Sequence, residues 1–399
     1  MGMWEASRLA APRGRLGAGA AMALFLVACA QGLSGGPTPT PTPRAAPTSL
    51  YQVDTVFNRM SEEQRVGQLF LAGLSSSDVG PSALLDAIGN HHAGNVVLYG
   101  TGWDGADRVR STTGMLQAMA TRPATAGVRL YVAGTQEGGQ RGTFQTFYGR
   151  GFRNVPTALD QGAMDPAVLQ MRAMAWGREL VAAGVNLNLA PAMDTVPPDT
   201  DAANRLIGAQ RREFGHDPAT VASHGAAFIR GMAAAGVSVA EKNFPGLGRV
   251  ASDAGVTDPV TTSGDAYLQP YQAGWEAGAQ MVMVALASYP GIDPGNQAVF
   301  SPVVISQLLR RDLGFGGMVV SDDLGAAAPV QYLPPGERAT RFLAAGGDIV
   351  LTLRPSDIAP MTAAVLTRMD ADLAFRAQVY ASVHRVLQAK LEAGLLPAG

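Results

Sequence analysis

The sequence predicts an α/β fold, a single (β/α)8 TIM-type barrel, on three observations. From Val66 onward, short and nearly unbroken apolar runs alternate with longer amphipathic ones. Such strands are the kind buried on both faces of a parallel sheet. Eight of these units occupy about 290 residues with no gap for a second sheet, which argues for closure into a barrel. Finally, 47% of the 399 residues are hydrophobic and only 16% are charged, enough apolar material for a large core.

Taken from the N-terminus, the first segment reads as a targeting sequence. Arg8, Arg13 and Arg15 make a positive region, and Leu16 to Ala28 is an unbroken run of small and apolar residues. That run is shorter than the roughly 20 residues needed to cross a bilayer. It ends Leu26-Val27-Ala28-Cys29, which resembles a bacterial lipobox, and Cys29 is the only cysteine of the chain. The resemblance implies that residues 1–28 are a signal peptide and that Cys29 carries a lipid. The expected location is the extracytoplasmic side of a membrane. Residues 29–50, with the repeat Gly36-Pro37-Thr38-Pro39-Thr40-Pro41-Thr42-Pro43, read as a tether that Pro keeps extended. The barrel is expected over residues 51–399.

Glu62, Glu63 and Arg65 read as the solvated face of a first helix. The strands are then expected at Leu69–Ala72, Asn95–Tyr99, Arg129–Ala133, Val185–Leu189, Val237–Glu241, Met281–Leu286, Met318–Ser321 and Asp348–Leu353. Helical patterns lie near 105–120, 164–183, 217–235, 266–278, 303–312 and 335–345, then 357–368 and 373–393. A two-lobed solute-binding protein is the rival architecture, but it needs two sheets and crossing hinge strands, which this regular repetition does not suggest.

A net charge of −2 offers no basic stripe to neutralise phosphates, so nucleic acid is not an expected partner. No cofactor and no metal are expected: His91 and His92 are adjacent, and neighbouring side chains rarely converge on one ion. Barrel enzymes place their chemistry in the loops after the strands. There the sequence has Thr135-Gln136-Glu137-Gly138-Gly139, Asn188-Leu189-Ala190-Pro191-Ala192-Met193-Asp194, Glu241-Lys242-Asn243-Phe244-Pro245-Gly246-Leu247-Gly248 and Ser321-Asp322-Asp323-Leu324. Of Asp322 and Asp323, one suits a cap of the following segment and the other a nucleophile or base in the mouth, since adjacent side chains diverge. Lys242 is conspicuous in a chain whose only other lysine is Lys390. It suits either a donor to ligand hydroxyls or a structural partner of a carboxylate.

Together with Arg212-Glu213-Phe214-Gly215-His216-Asp217-Pro218, these motifs occur in an order that resembles glycoside hydrolase family 3, and within it the bacterial β-N-acetylhexosaminidases. The resemblance spans about Met60 to Leu396. It implies a retaining β-glycosidase acting on a carbohydrate, such as cell-wall-derived β-linked sugars, with Asp322 as nucleophile. Arg212 and Lys242 match the sugar-contacting residues, with Glu137 in the Glu-Gly-Gly motif beside them. Thr135 stands where the family has an Asp that holds sugar hydroxyls, Thr143 near a further Arg, and Asn243 where Lys is usually followed by His. Ala285-Leu286 replace a Ser-His pair. On the loop after the fifth strand, Asp253 matches the Asp of an Asp-x-His pair, but Gly255 stands at the His that delivers the proton. Asp253 or Asp258 is the alternative acid. The departures also admit a second expectation, a catalytically degenerate sugar- or peptidoglycan-binding lipoprotein, and a third, a scaffold with no sugar site.

Overall fold

The computed structural model describes residues 48–78, 81–250 and 264–397. The apolar runs form eight strands: β1 (Phe70–Ser75), β2 (Asn95–Tyr99), β3 (Tyr131–Gly134), β4 (Leu187–Asn188), β5 (Ser238–Phe244), β6 (Met281–Val284), β7 (Met318–Ser321) and β8 (Val350–Thr352). Every pairing is parallel, and each strand lies beside its sequence neighbour in the order β7-β6-β5-β4-β3-β2-β1-β8. A parallel bridge between Val320 and Ile349 brings β8 back to β7, with the Ser321 N–H donating to the Ile349 carbonyl at 2.9 Å. The eight described strands thus form a nearly closed ring.

Helices return the chain between strands, and their starting points are legible in local chemistry. Asp165 accepts the Ala167 N–H at 2.8 Å and is followed by Pro166 at the start of helix Pro166–Ala182. Asp217 accepts the Thr220 N–H at 2.9 Å ahead of Pro218 in helix Pro218–Ala234. Asp372 accepts the Phe375 N–H at 3.0 Å to open helix Leu373–Glu392. A cap of this kind is typically worth about 1 kcal/mol, and Pro at the first turn loses no needed donor.

Strands β2 and β7 and the helix Pro335–Ala345 fall on the ranges expected from sequence. Helices Ser82–Gly89 and Ala158–Gly162 do not appear in that expectation, because so few residues give no readable period. The helix Thr48–Arg59 starts within the last residues read as tether. Strand β5 continues three residues past Glu241: the Lys242 N–H donates to the Pro191 carbonyl at 3.0 Å, and Lys242 pairs in register with Met283. Polar residues end the apolar pattern there, while the backbone ladder does not stop.

Alternation along β5 sends Glu241 and Lys242 to opposite faces. Glu241 is wholly buried towards the helix Gln269–Glu276, where a Cβ on Gly274 would lie 1.6 Å from its Oε2. At the floor of the barrel, the fully buried Lys390 donates from Nζ to Gln68 Oε1 and to the Gly94 carbonyl, both at 2.8 Å. Among the described residues, no helix is long and apolar enough to cross a membrane.

Candidate active site

The C-terminal ends of β3, β5 and β7 and the loop after β4 bring four charged side chains together. Glu137 follows β3 in a turn that requires glycine. Gly138 has φ +121°, and a Cβ there would lie 1.9 Å from the Pro156 carbonyl oxygen. The Glu137 backbone is pinned on both sides, its N–H donating to the Phe144 carbonyl at 2.8 Å and its carbonyl accepting Gln161 Nε2 at 2.9 Å. The residue is 2% exposed, and its carboxylate is therefore held at a defined position.

Arg212 meets that carboxylate with two parallel hydrogen bonds, Nε to Oε1 at 2.7 Å and Nη2 to Oε2 at 3.1 Å. Such a fork is directional as well as strong. Its Nη1 donates to the Leu206 carbonyl at 2.9 Å, and its guanidinium lies 4.4 Å from the centre of the Phe144 ring. Lys242 Nζ reaches the same Glu137 Oε2 at 3.0 Å. Burial opposes ionisation of Glu137, but the two cations overcome it and hold its carboxyl below the ordinary value. For Lys242 burial prevails over the attraction of Glu137, and its pKa is lowered. The group is thus a cation pair clamped by one anion, with a net positive charge directed at whatever occupies the mouth.

Asp322 completes it. The residue follows β7 and is half-buried, with its Oδ1 accepting the Asp323 N–H at 2.7 Å. Burial raises its pKa. The hydrogen bond from Asp323 and the charges of Lys242 and Arg212 oppose that rise and the Asp323 carboxylate adds to it, so the net shift is upward. Asp323 itself turns away: its Oδ1 accepts the N–H groups of Gly325 and Leu353 at 2.8 Å, and its Oδ2 accepts Ala326 N–H at 2.9 Å. The adjacent acids do divide their roles, one in the cluster and one capping a turn rather than a helix.

Of the remaining residues singled out in the sequence, Thr135 is half-buried at the end of β3, its N–H and carbonyl both bonded to Thr146. Asn243 donates from Nδ2 to Asp194 Oδ2 at 2.7 Å, so its amide is committed to a carboxyl and not to the mouth. The Lys242–Asn243 peptide is cis. Asp253 and Asp258 lie outside the described residues, as does Cys29.

Asp194 has no assigned role in the sequence reading, although it closes the Asn-Leu-Ala-Pro-Ala-Met-Asp motif. It gathers the Asn243 amide, the Leu247 N–H and the Tyr271 hydroxyl, and so joins the loops after β4 and β5. Burial pushes its carboxyl up to about 6, against the donors from Leu247 and Asn243. An Asp ending a strand motif is a weak signal, and its partners come from distant segments. All five histidines are engaged elsewhere: His91 with Asp86, His92 with the Ala124 carbonyl, His216 with Asp201, His224 with the Thr220 and Met164 carbonyls, His384 with Asp54.

Comparisons with known proteins give the family. Residues 63–389 match the model of the glycosyl hydrolase family 3 N terminal domain. A beta-hexosaminidase of Stenotrophomonas maltophilia is 34% identical over 272 residues, which are 65% of this chain and 76% of that protein. One from Xylella fastidiosa is 35% identical over 285 residues, 68% of this chain and 80% of the relative. The crystal structure of a beta-N-acetylhexosaminidase from Beutenbergia cavernae superposes with a TM-score of 0.80 at 50% identity, covering 83% of this chain and 98% of that one. An eight-stranded barrel with its charged residues gathered at the strand ends, and a family match that runs through all eight strands, lead to one assignment: the chain belongs to glycosyl hydrolase family 3.

Proposed function

We propose that this family 3 hydrolase is a retaining β-N-acetylhexosaminidase in which Asp322 is the nucleophile. The observation that carries the reading is the convergence at the barrel mouth. Asp322 lies in the field of Lys242 and Arg212, and both cations are fixed by the one buried carboxylate of Glu137. A nucleophilic carboxylate must be ionised, and the two cations favour that state while leaving Asp322 itself half-exposed to a ligand. The same cations present donors to sugar hydroxyls. The Asp322 carboxylate would attack the anomeric carbon as the glycosidic oxygen departs, and water would then release the sugar with overall retention.

The proton for the departing oxygen needs a separate group. Glu137, Asp194 and Asp323 are all committed to partners. We assign the role to Asp253. Under this reading Asp253→Asn costs about 10²–10⁴-fold on substrates with poor leaving groups and far less on activated aryl glycosides.

The test uses 4-nitrophenyl β-N-acetylglucosaminide with the matching β-glucoside as control, product anomers followed by NMR, and a 5-fluoro glycosyl fluoride as trap. The expected results are hydrolysis of the N-acetylated substrate with retention and a mass increment on the Asp322 peptide. Inverted product, or neither turnover nor labelling, would overturn the proposal.

The engagement of every histidine away from the cluster favours one second reading, a sugar- or peptidoglycan-binding protein without useful catalysis. Saturable binding that survives Asp322→Ala, with no hydrolysis, distinguishes it. In either case the sequence around Cys29 supports an exported lipoprotein meeting cell-wall-derived sugars. Cys29→Ala should then move the protein from the membrane fraction to the soluble one.

A further inference from the structure

We propose a divalent-cation site, of the class that takes Zn²⁺, in the loop that carries Arg212, formed by Asp201, Glu213 and His216. One ligand atom from each of the three side chains lies within 4.8 Å of the other two. An ion bound at about 2.0–2.2 Å draws its donors to within roughly 3–4 Å of one another, a contraction that side-chain rotation can supply. One imidazole and two carboxylates suit Zn²⁺, and two negative charges balance a divalent ion.

The second observation concerns Glu213. It is wholly buried, and neither carboxylate oxygen has a hydrogen-bond partner among the described residues. An unpartnered buried carboxylate is costly, and proteins retain one where it meets a cation or changes protonation. The adjacent Arg211 does not meet this need, because its Nη2 is paired with Asp160 Oδ1 at 2.6 Å. Asp201 Oδ1 is also without a hydrogen bond among the described residues, and His216 Nδ1, which lies 3.3 Å from the Val196 carbonyl, stands 3.4 Å from it.

The loop is organised in advance. Asn204 Oδ1 accepts the Ile207 N–H at 2.8 Å, and its Nδ2 donates to the Leu247 carbonyl at 2.7 Å and the Gly248 carbonyl at 2.9 Å. His216 and Asp201 are each more than a third exposed along their side chains, leaving an entry path, while Glu213 forms the closed side. Because Arg212 and Glu213 are consecutive and diverge, an ion on Glu213 would brace the backbone from which Arg212 reaches Glu137. The site is separate from the reaction, and its role is to position.

The experiment is titration of the full chain, stripped with a chelator, with Zn²⁺ alone, followed by calorimetry, metal analysis and thermal melting. Co²⁺ then replaces Zn²⁺ for its d–d spectrum. One Zn²⁺ per chain, a raised Tm and a Co²⁺ spectrum of a nitrogen–oxygen site are expected. Affinity should fall at least about 10-fold in Glu213→Gln and in His216→Gln. Should either variant fail to fold, Asp201→Asn at the exposed edge gives the same reading. No saturable binding by the wild-type chain, or affinity unchanged in the variants that fold, would overturn the proposal.

Discussion

The two lysines of this chain occupy opposite ends of one barrel. Lys242, at the mouth, faces the carboxylate of Glu137 at 3.0 Å and the field of Asp322. Lys390, at the floor, meets among the described residues the neutral oxygens of Gln68 and Gly94 and, 5.6 Å away, the centre of the Tyr131 ring. Burial lowers the pKa of both, but for Lys390 no carboxylate opposes it and the pKa falls well below the ordinary value. A buried ammonium keeps its charge only where a counter-charge shares the site. The mouth therefore concentrates charge for chemistry, whereas the floor uses the same side chain as a long hydrogen-bond donor within the packing.

The largest effect that sharpens this contrast is expected from Lys242→Met. Loss of one cation from the Glu137 clamp should lower kcat/KM by about 10²-fold, the scale of removing one charged stabilising donor. It should also move the acidic limb of the pH profile upward, since Lys242 pulls the Asp322 pKa down. A limb that stays in place or moves to lower pH would break the assignment of Lys242 as the neighbour that keeps Asp322 ionised.

Next in size is a stability effect at the floor. Because the folded state holds Lys390 at a lowered pKa, the unfolded chain binds more protons between that value and about 10.4. Stability should therefore rise with pH through this window, by at most about 1.4 kcal/mol per pH unit. Urea melts of Lys390→Met should lack that rise, with kcat/KM unchanged within about two-fold. An unaltered slope would mean that Lys390 is charged in the fold.

Glu241 gives the third test, confined to slope and of opposite sign. Its carboxyl is buried without a hydrogen-bond partner among the described residues, and its pKa is raised well above the ordinary value, by burial. The folded state then binds the extra proton, so stability is lost as pH rises from about 4.3 through the folded pKa. Glu241→Gln, which keeps the shape, should match the wild type below pH ~4 and exceed it increasingly above. Equal stability at all pH values would show that Glu241 ionises freely.

The alternation of eight apolar runs carried the barrel in the sequence because parallel strands are buried on both faces and need no distant information to be recognised. The motifs at the strand ends likewise placed Asp322, Lys242, Arg212 and Glu137 at one mouth, since every parallel strand delivers its C-terminal end to the same side. What those side chains do to one another was a matter for the tertiary structure alone. That Glu137 clamps two cations, that Asn243 turns to Asp194, and that Asp323 also accepts the Leu353 N–H all depend on contacts between residues tens of positions apart. So does the fate of Glu241 and Lys242, neighbours in sequence with opposite environments, because one residue of alternation separates a packed helix face from the mouth.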